Sequence, residues 1–566
     1  FFHNNLFFIV KSGIIKRMVK SMRKHLIFIL FILLFLSGCQ LTGGNQQGNG
    51  QINLTLDAPE LIFEDNVVYW EKVDGALIYL FYVNDTLITE TSKCSYDISK
   101  FGYGEFEIKV IASGYEGEKS SPGILELTIE EEGRPNVGVF MINDTHGAVL
   151  DDETPGIARV GTILDQYSSL YGDLVAVANG DIFQGSYASN ILRGRPLIDA
   201  FNALDFDCFV IGNHEFDWGL DKIAVYKDGN LENGEADFPF LGANIYDRST
   251  NEMVDWLEPY TIVEKNGLKV GIIGIIGYNL ESSINSTFIT DYEFVYPLEI
   301  IKEHARTLRT EEDCDLVIVS NHDYDESLNY NISRLEGDYA IDLILCGHTH
   351  QNCNDELLRP DGKKIVAVQN RDKNQTASFV NLHVDENKDY LNYEFERIYP
   401  GDYSNDPSIV DELKQYDSIF AEGNKVLGTS PSYLNKSTLG YYATAAMTEE
   451  FGCDISIMNT AGVRGTIDSG VITVSDVFNA FPFDNEVFIV SLSGSDVKNL
   501  YYENSNFLYF NKEFNISSIK NSSYYSIAVI DYVFNSPYYD QFKNVDYIDD
   551  DVILRDLVIE YIDNKY

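Results

Sequence analysis

From residue 136 onward the chain alternates short apolar runs with polar clusters, each run about the length of one buried strand. The runs cover 137–142, 174–178, 208–211, 316–319 and 343–346. They end, in order, in Asn143-Asp144-Thr145-His146, Asn179-Gly180-Asp181, Gly212-Asn213-His214-Glu215, Ser320-Asn321-His322 and Gly347-His348-Thr349-His350. Between them, 156–170 and 298–310 carry helical patterning. Strands alternating with helices predict an α/β domain over 136–399, with polar residues gathered at the carboxyl ends of its strands.

The flanking blocks read differently. Residues 52–131 hold short strands at 61–63, 67–70, 76–83, 106–112 and 124–129, with strict alternation in Glu105-Phe106-Glu107-Ile108-Lys109-Val110. With Pro59 and Trp70 this pattern resembles a fibronectin III-like β-sandwich. It contains no chemical constellation, so a spacer or adhesion role is expected, and the acidic 130–135 stretch marks a linker. From 406 to 566 helices are expected at 408–422, 439–451 and 554–562, and strands at 425–427, 455–458, 487–492 and 527–530. That mixture predicts a separate α+β domain.

Charge changes the picture at the N-terminus. The first 38 residues carry Lys11, Lys16, Arg17, Lys20, Arg23 and Lys24 and no acid. The chain does not open on Met, so 1–17 is expected to lie upstream of the true start. From Met22, a basic segment precedes the apolar run 26–36 and then Leu36-Ser37-Gly38-Cys39, which resembles a bacterial lipobox. Residues 1–38 thus read as an upstream extension plus lipoprotein signal peptide, with lipid on Cys39 and a flexible tether over 39–51. The expected location is extracytoplasmic, anchored by lipid to the bacterial membrane. The whole chain has 41 Lys+Arg against 88 Asp+Glu, a net charge of −47. Such a surface repels polymeric nucleic acid. Hydrophobic residues at 45% exclude a disordered chain. Six further cysteines show no CxxC pair, and nothing supports a Cys346–Cys353 disulfide.

Beyond residue 38 there are seven histidines, and five stand in the strand-end clusters; His304 and His383 are the others. Imidazole, carboxylate and amide oxygen together suit borderline divalent ions such as Zn, Mn, Fe or Co. These residues resemble the calcineurin-like metallophosphoesterase signature. The fuller strings Asn143-Asp144-Thr145-His146-Gly147, Asn179-Gly180-Asp181-Ile182-Phe183-Gln184-Gly185-Ser186 and Gly212-Asn213-His214-Glu215-Phe216-Asp217-Trp218-Gly219 resemble its bacterial 5′-nucleotidase branch. The resemblance implies an α/β/β/α sandwich for the catalytic domain and a substrate-binding C-terminal domain. It implies two metal ions, one held by Asp144, His146 and His350, the other by Asn213, His322 and His348, with Asp181 bridging. Such a pair polarises phosphoryl oxygens and lowers the pKa of a bound water. His214 is then not a ligand but an acid or transition-state stabiliser oriented by Asp217. Asn321 intervenes between Ser320 and His322 where the family reads Ser-His, and a bulge is expected to absorb it.

In the C-terminal block, Asn459-Thr460-Ala461-Gly462-Val463-Arg464 resembles the family's phosphate-gripping turn, and Phe481-Pro482-Phe483-Asp484-Asn485 its Pro-Phe-Gly-Asn segment. By resemblance Asn459, Gly462, Arg464 and Phe483 contact substrate, with Tyr538 or Tyr539 as the second aromatic. Asp484 stands where the family has glycine. The resemblance implies hydrolysis of nucleoside 5′-monophosphates to nucleoside and phosphate. UDP-sugar diphosphohydrolase and 2′,3′-cyclic-nucleotide phosphodiesterase are its alternatives, and a non-catalytic surface-binding lipoprotein is the alternative of another class.

Overall fold

A computed structural model describes residues 56–566 except 65, 99–100, 102–103, 116, 130–135 and 152–153. The leader, Cys39 and the tether lie outside the described residues. Among those described, no helix is long and apolar enough to cross a membrane.

The centre of the molecule is a pair of six-stranded sheets packed face to face. One runs in the order Phe240–Leu241, Cys208–Val210, Val175–Asn179, Asn136–Ile142, Ala377–Val384, Tyr390–Ile398. The other runs Tyr260–Lys265, Leu268–Ile276, Leu316–His322, Leu343–Cys346, Lys364–Gln369, Cys353–Leu358. The central strands of each are parallel and carry the apolar runs. Alternation assigns the faces. Val137, Val139 and Met141 point into the layer between the sheets with Val270, Ile272, Leu316 and Ile318. Phe140 and Ile142 point outward to the helix Ala158–Tyr171. On the far side, Leu298–Thr310 buries Ile301, Ala305 and Leu308. The layering is α/β/β/α, and the parallel strands of each sheet end at the metal-type residues.

N-terminal to this lie a three-stranded and a four-stranded antiparallel sheet, consistent with a β-sandwich; strands at Thr86–Thr91 and Ser95–Asp97 escaped the hydrophobic pattern because they are half-exposed. The sandwich abuts the catalytic layers: Asn84 Nδ2 donates to the Ser169 carbonyl at 3.0 Å, and the Phe101 and Tyr171 rings meet edge-on. The C-terminal block is a five-stranded mixed sheet in the order Leu508–Phe510, Ile455–Asn459, Tyr524–Ile530, Glu486–Ser493, Tyr547–Ile553. Helices Lys436–Phe451 and Leu554–Lys565 pack with it in one apolar core. The helix expected at 408–422 is broken at Lys414–Tyr416 into two. The break lets Tyr416 bury and hydrogen-bond Asp199.

Candidate metal centre and its cavity

The strand-end residues converge because the parallel strands of both sheets finish at one edge. Asp144, His146, Asp181, His348 and His350 all turn sharply there, with φ between 46° and 72°. Left-handed backbone at non-glycine residues costs about 1–3 kcal/mol each and gathers at functional sites. Asp144, His146, Asp181 and His350 each bring a ligand atom within 4.8 Å of one another, and so do Asp181, His322 and His348. Asp181 belongs to both groups.

The ring orientations are set from behind. His146 Nδ1 donates to the Gln184 carbonyl at 3.1 Å, and His322 Nδ1 to the Asn179 carbonyl at 2.9 Å. A carbonyl only accepts, so both rings keep a proton at Nδ1 and turn Nε2 inward, where it is a lone-pair donor whenever the ring is neutral. His146 Nε2 then lies 3.1 Å from His350 Nε2, which is 3.2 Å from Asp144 Oδ1. Asp181 Oδ2, Asn213 Oδ1 and His322 Nε2 are buried without a hydrogen-bond partner. Burial disfavours charge on His322, yet the Asp181 carboxylate 3.2 Å away carries its pKa up to about 10. Burial and the His322 charge push His348 down to about 4. The cluster attracts positive charge and cannot hold it as several protons. Facing lone pairs, orphaned buried acceptors and a mixed nitrogen/oxygen donor set all fit divalent cations.

The expected bulge before His322 is absent. Leu316–His322 pairs with Leu268–Ile276 in unbroken parallel register, ending at Ile276 opposite His322. The strand simply runs one residue further, so Ser320 and His322 share a face and Asn321 takes the other.

His214 stands outside both groups. Its Nδ1 is 2.7 Å from Asp217 Oδ2 and its Nε2 3.9 Å from Asp181 Oδ2. Burial lowers its pKa, but Asp217 and Asp181 outweigh that and raise it. Glu215, not singled out from sequence, is the hidden framework of the site. Its Oε2 accepts from the Asp181 and Gly212 amides at 2.9 Å, and its Oε1 from those of Ile182 at 2.9 Å and Phe183 at 3.4 Å. Burial and neighbouring Asp181 push its pKa up to about 7, while His322 and the amide donors act against them.

A cavity of about 770 Å³ opens over the cluster, between the catalytic and C-terminal layers. His146, Asp181, Asn213, His214, His348 and His350 line one side; Asn459, Gly462, Arg464 and Phe483 line the other. The Phe483 ring stacks 5.9 Å from that of His214, and the Arg464 guanidinium lies 5.7 Å from the Phe483 ring centre. Lys373 and Lys436 also line it, and burial, with Arg464 and Lys373 nearby, lowers the Lys436 pKa. Among the described residues, neither lysine nor Arg464 forms an ion pair.

The two tyrosines expected as the second aromatic do not reach the cavity. Tyr539 is buried in the C-terminal core and Tyr538 is exposed. Tyr532 lines the cavity instead. It follows the strand Tyr524–Ile530, at the same kind of strand end that carries the metal-type residues, and that rule would have found it.

Residues 139–352 match the family model for calcineurin-like phosphoesterases, and residues 421–556 that for the 5′-nucleotidase C-terminal domain. The chain is 26% identical over 377 residues to an apyrase of Tabanus yao, covering 60% of this chain and 66% of the apyrase. It is 26% identical over 417 residues to a 5′-nucleotidase of Vibrio parahaemolyticus, covering 63% of this chain and 73% of that one. The fold is shared with a 5′-nucleotidase precursor from Thermus thermophilus, with a TM-score of 0.64 at 20% identity over 76% of this chain and 96% of that chain.

Proposed function

We propose, from the premise that this chain joins a calcineurin-like phosphoesterase domain to a 5′-nucleotidase C-terminal domain and is a metal-dependent phosphoric ester hydrolase, that it cleaves nucleoside 5′-monophosphates to nucleoside and phosphate. One observation carries the proposal. Two Asp/His groups sharing Asp181 face, across one cavity, a guanidinium and two aromatic side chains on the opposing domain.

Asp144, His146 and His350 would hold one divalent ion, Asn213, His322 and His348 the other, and Asp181 both. When bound, the ions supply Lewis-acid polarisation of the phosphoryl group and a water acidified toward neutral pH. The chain's own residues do the rest. Arg464 presents a planar fork that matches two phosphoryl oxygens, and Lys436 and Lys373 add positive potential. Phe483 and Tyr532 offer faces on which a base of any identity can stack. His214, with its Nδ1 proton held by Asp217, presents Nε2–H toward the charge that develops on the reacting group or the leaving oxygen. Asn459 and Gly462 shape the turn that carries Arg464. With two divalent ions held beside them, Arg464, Lys436 and Lys373 would invert, locally, a chain charge of −47.

Export as a lipoprotein modified at Cys39 follows from the leader and would place the enzyme outside the cytoplasm, where small mobile nucleotides reach it. Phosphate release with Mn²⁺ from AMP, UMP, UDP-glucose and 2′,3′-cyclic AMP tests the reading. Turnover of the monophosphates is expected to dominate. A metal-loaded protein that releases phosphate from none of them overturns it.

A further inference from the structure

The segment Phe481-Pro482-Phe483-Asp484-Asn485 links the helix Val474–Ala480 to the strand Glu486–Ser493 and carries the cavity's Phe483. Its resemblance to a Pro-Phe-Gly-Asn turn fails at one position, and the side chain gained there is not idle. One oxygen of Asp484 takes Arg193 Nη1 at 2.5 Å. The other takes Arg555 Nη2. These partners belong to different domains: Arg193 follows the short catalytic-domain helix Tyr187–Asn190, and Arg555 lies in the C-terminal helix Leu554–Lys565.

Each arm is itself anchored. Arg555 Nη1 also donates to the Phe481 and Phe483 carbonyls at 3.3 and 3.2 Å, and its guanidinium lies 3.8 Å from the Phe478 ring centre. Arg193 lies 5.0 Å from the centre of the Trp218 ring, one residue past the Asp217 that holds His214. Beside it Asn190, whose Oδ1 holds the Gly185 amide, donates through Nδ2 to the Pro482 carbonyl at 2.8 Å. Gly185 follows Gln184, whose carbonyl orients His146. The backbone on both sides of Phe483 is therefore tied to the two catalytic-domain segments that orient His146 and His214. A link serving only the stability of the C-terminal domain would need Arg555 alone.

We infer that Asp484 is a positioning residue for substrate: by bridging Arg193 and Arg555 it sets the Phe483 face against His214, so that a stacked base is held in register with the reacting phosphoryl group. The inference rests on the nucleotidase reading. The two bridges replace mobile solvent contacts by fixed, charge-assisted ones across the domain boundary, and preorganisation of that kind is spent on orientation.

The test uses the full metal-loaded chain and the variants Asp484→Asn, Arg193→Gln and the double variant, with AMP and with glycerol 2-phosphate, a monoester with no ring to stack. KM for AMP should rise about tenfold in either single variant, the low end of what a hydrogen bond to a charged group contributes. kcat should stay within about twofold, and the double variant should be no worse than the singles, since both break one link. Glycerol 2-phosphate kinetics should not move. Equal losses on both substrates, strict additivity, or no change in KM for AMP overturns the inference. Amide exchange across 481–485 reads the same link without turnover: it should quicken in Asp484→Asn, and unchanged exchange overturns the proposal even if AMP is not a substrate. Wild-type protein that ignores AMP while exchange behaves as expected would instead count against the nucleotidase reading. Should Asp484→Asn fail to fold, Arg193→Gln, which removes the charge from the bridge, carries the same measurements.

Discussion

Glu215→Gln probes the site from behind. The change is nearly isosteric, yet the carboxylate it replaces is fully buried and receives four backbone amides, those of Gly212, Asp181, Ile182 and Phe183. A carboxylate only accepts, so all four can be satisfied. A carboxamide offers one oxygen and turns an NH₂ group toward the other two amides. Two buried donors thus lose their acceptor, at about 1–3 kcal/mol each, or roughly 2–6 kcal/mol in total. Whichever oxygen is replaced, the loosened amides include that of Asp181 or those of the two residues after it, and Asp181 sits in both metal groups. Loss of such a supporting contact typically weakens metal affinity by about 10–100-fold. Urea unfolding of the metal-free protein should show a destabilisation of that size. Metal content measured after dialysis against a graded chelator should fall at lower chelator concentrations than in wild type. If unfolding midpoint and metal retention both match wild type, the amide cradle does not hold Asp181 and the reasoning fails.

His214→Ala should lower kcat by about 10²–10⁴-fold while elemental analysis finds the metal content unchanged; Asp181→Ala, in contrast, should lose both ions. Retained ions in the second or lost ions in the first would show the ligand assignment to be wrong. Tyr532→Ala should raise KM for AMP about tenfold, within the range of one lost base-stacking contact, and leave glycerol 2-phosphate untouched. Equal KM values for wild type and variant would remove Tyr532 from substrate binding. Burial holds the pKa of Asp531 up to about 6, against hydrogen bonds including one from Asn285 Nδ2 at 2.6 Å. A carboxyl whose pKa is higher folded than unfolded binds its proton more tightly in the native state. Its ionisation therefore destabilises the fold above pH 6, and the penalty fades as pH falls toward about 4. The gap is worth up to about 3 kcal/mol. Asp531→Asn should raise unfolding stability at pH 8 and lose that advantage by about pH 4.5, followed by denaturation across pH; an advantage independent of pH would exclude Asp531 as its source.

Much of the catalytic layer was legible because its information is local. Five apolar runs that each end in Asp, Asn or His state both where strands lie and where they stop, and a parallel sheet turns that into convergence. The helix Leu298–Thr310 was readable for the same reason, since its apolar stripe recurs along its own length. Harder to see were strands whose partners are remote. Cys353–Leu358 and Tyr390–Ile398 are edge strands, the first with no buried position and the second with exposed residues at every second place of its middle, and neither pattern says which sheet the strand joins.

The chemical inventory is the part that sequence determined unaided. Asp144, His146, Asp181, Asn213, His322, His348 and His350 follow their strands so closely that any right pairing brings them together. Tertiary structure decided what depends on direction and distance. Register showed the strand before His322 to be continuous, where spacing alone suggested a bulge. Burial moved Tyr539 into a core and left Tyr538 in solvent, while the end of Tyr524–Ile530 put Tyr532 on the cavity. Glu215 and Asp484 gain their meaning only from partners that the chain brings back from elsewhere: Asp181–Phe183 lie 32–34 residues from Glu215, and Arg193 lies 291 from Asp484. Residue type and local order select the reacting groups. The orientation of each group is imposed by long-range contacts, which leave no periodic trace along the chain.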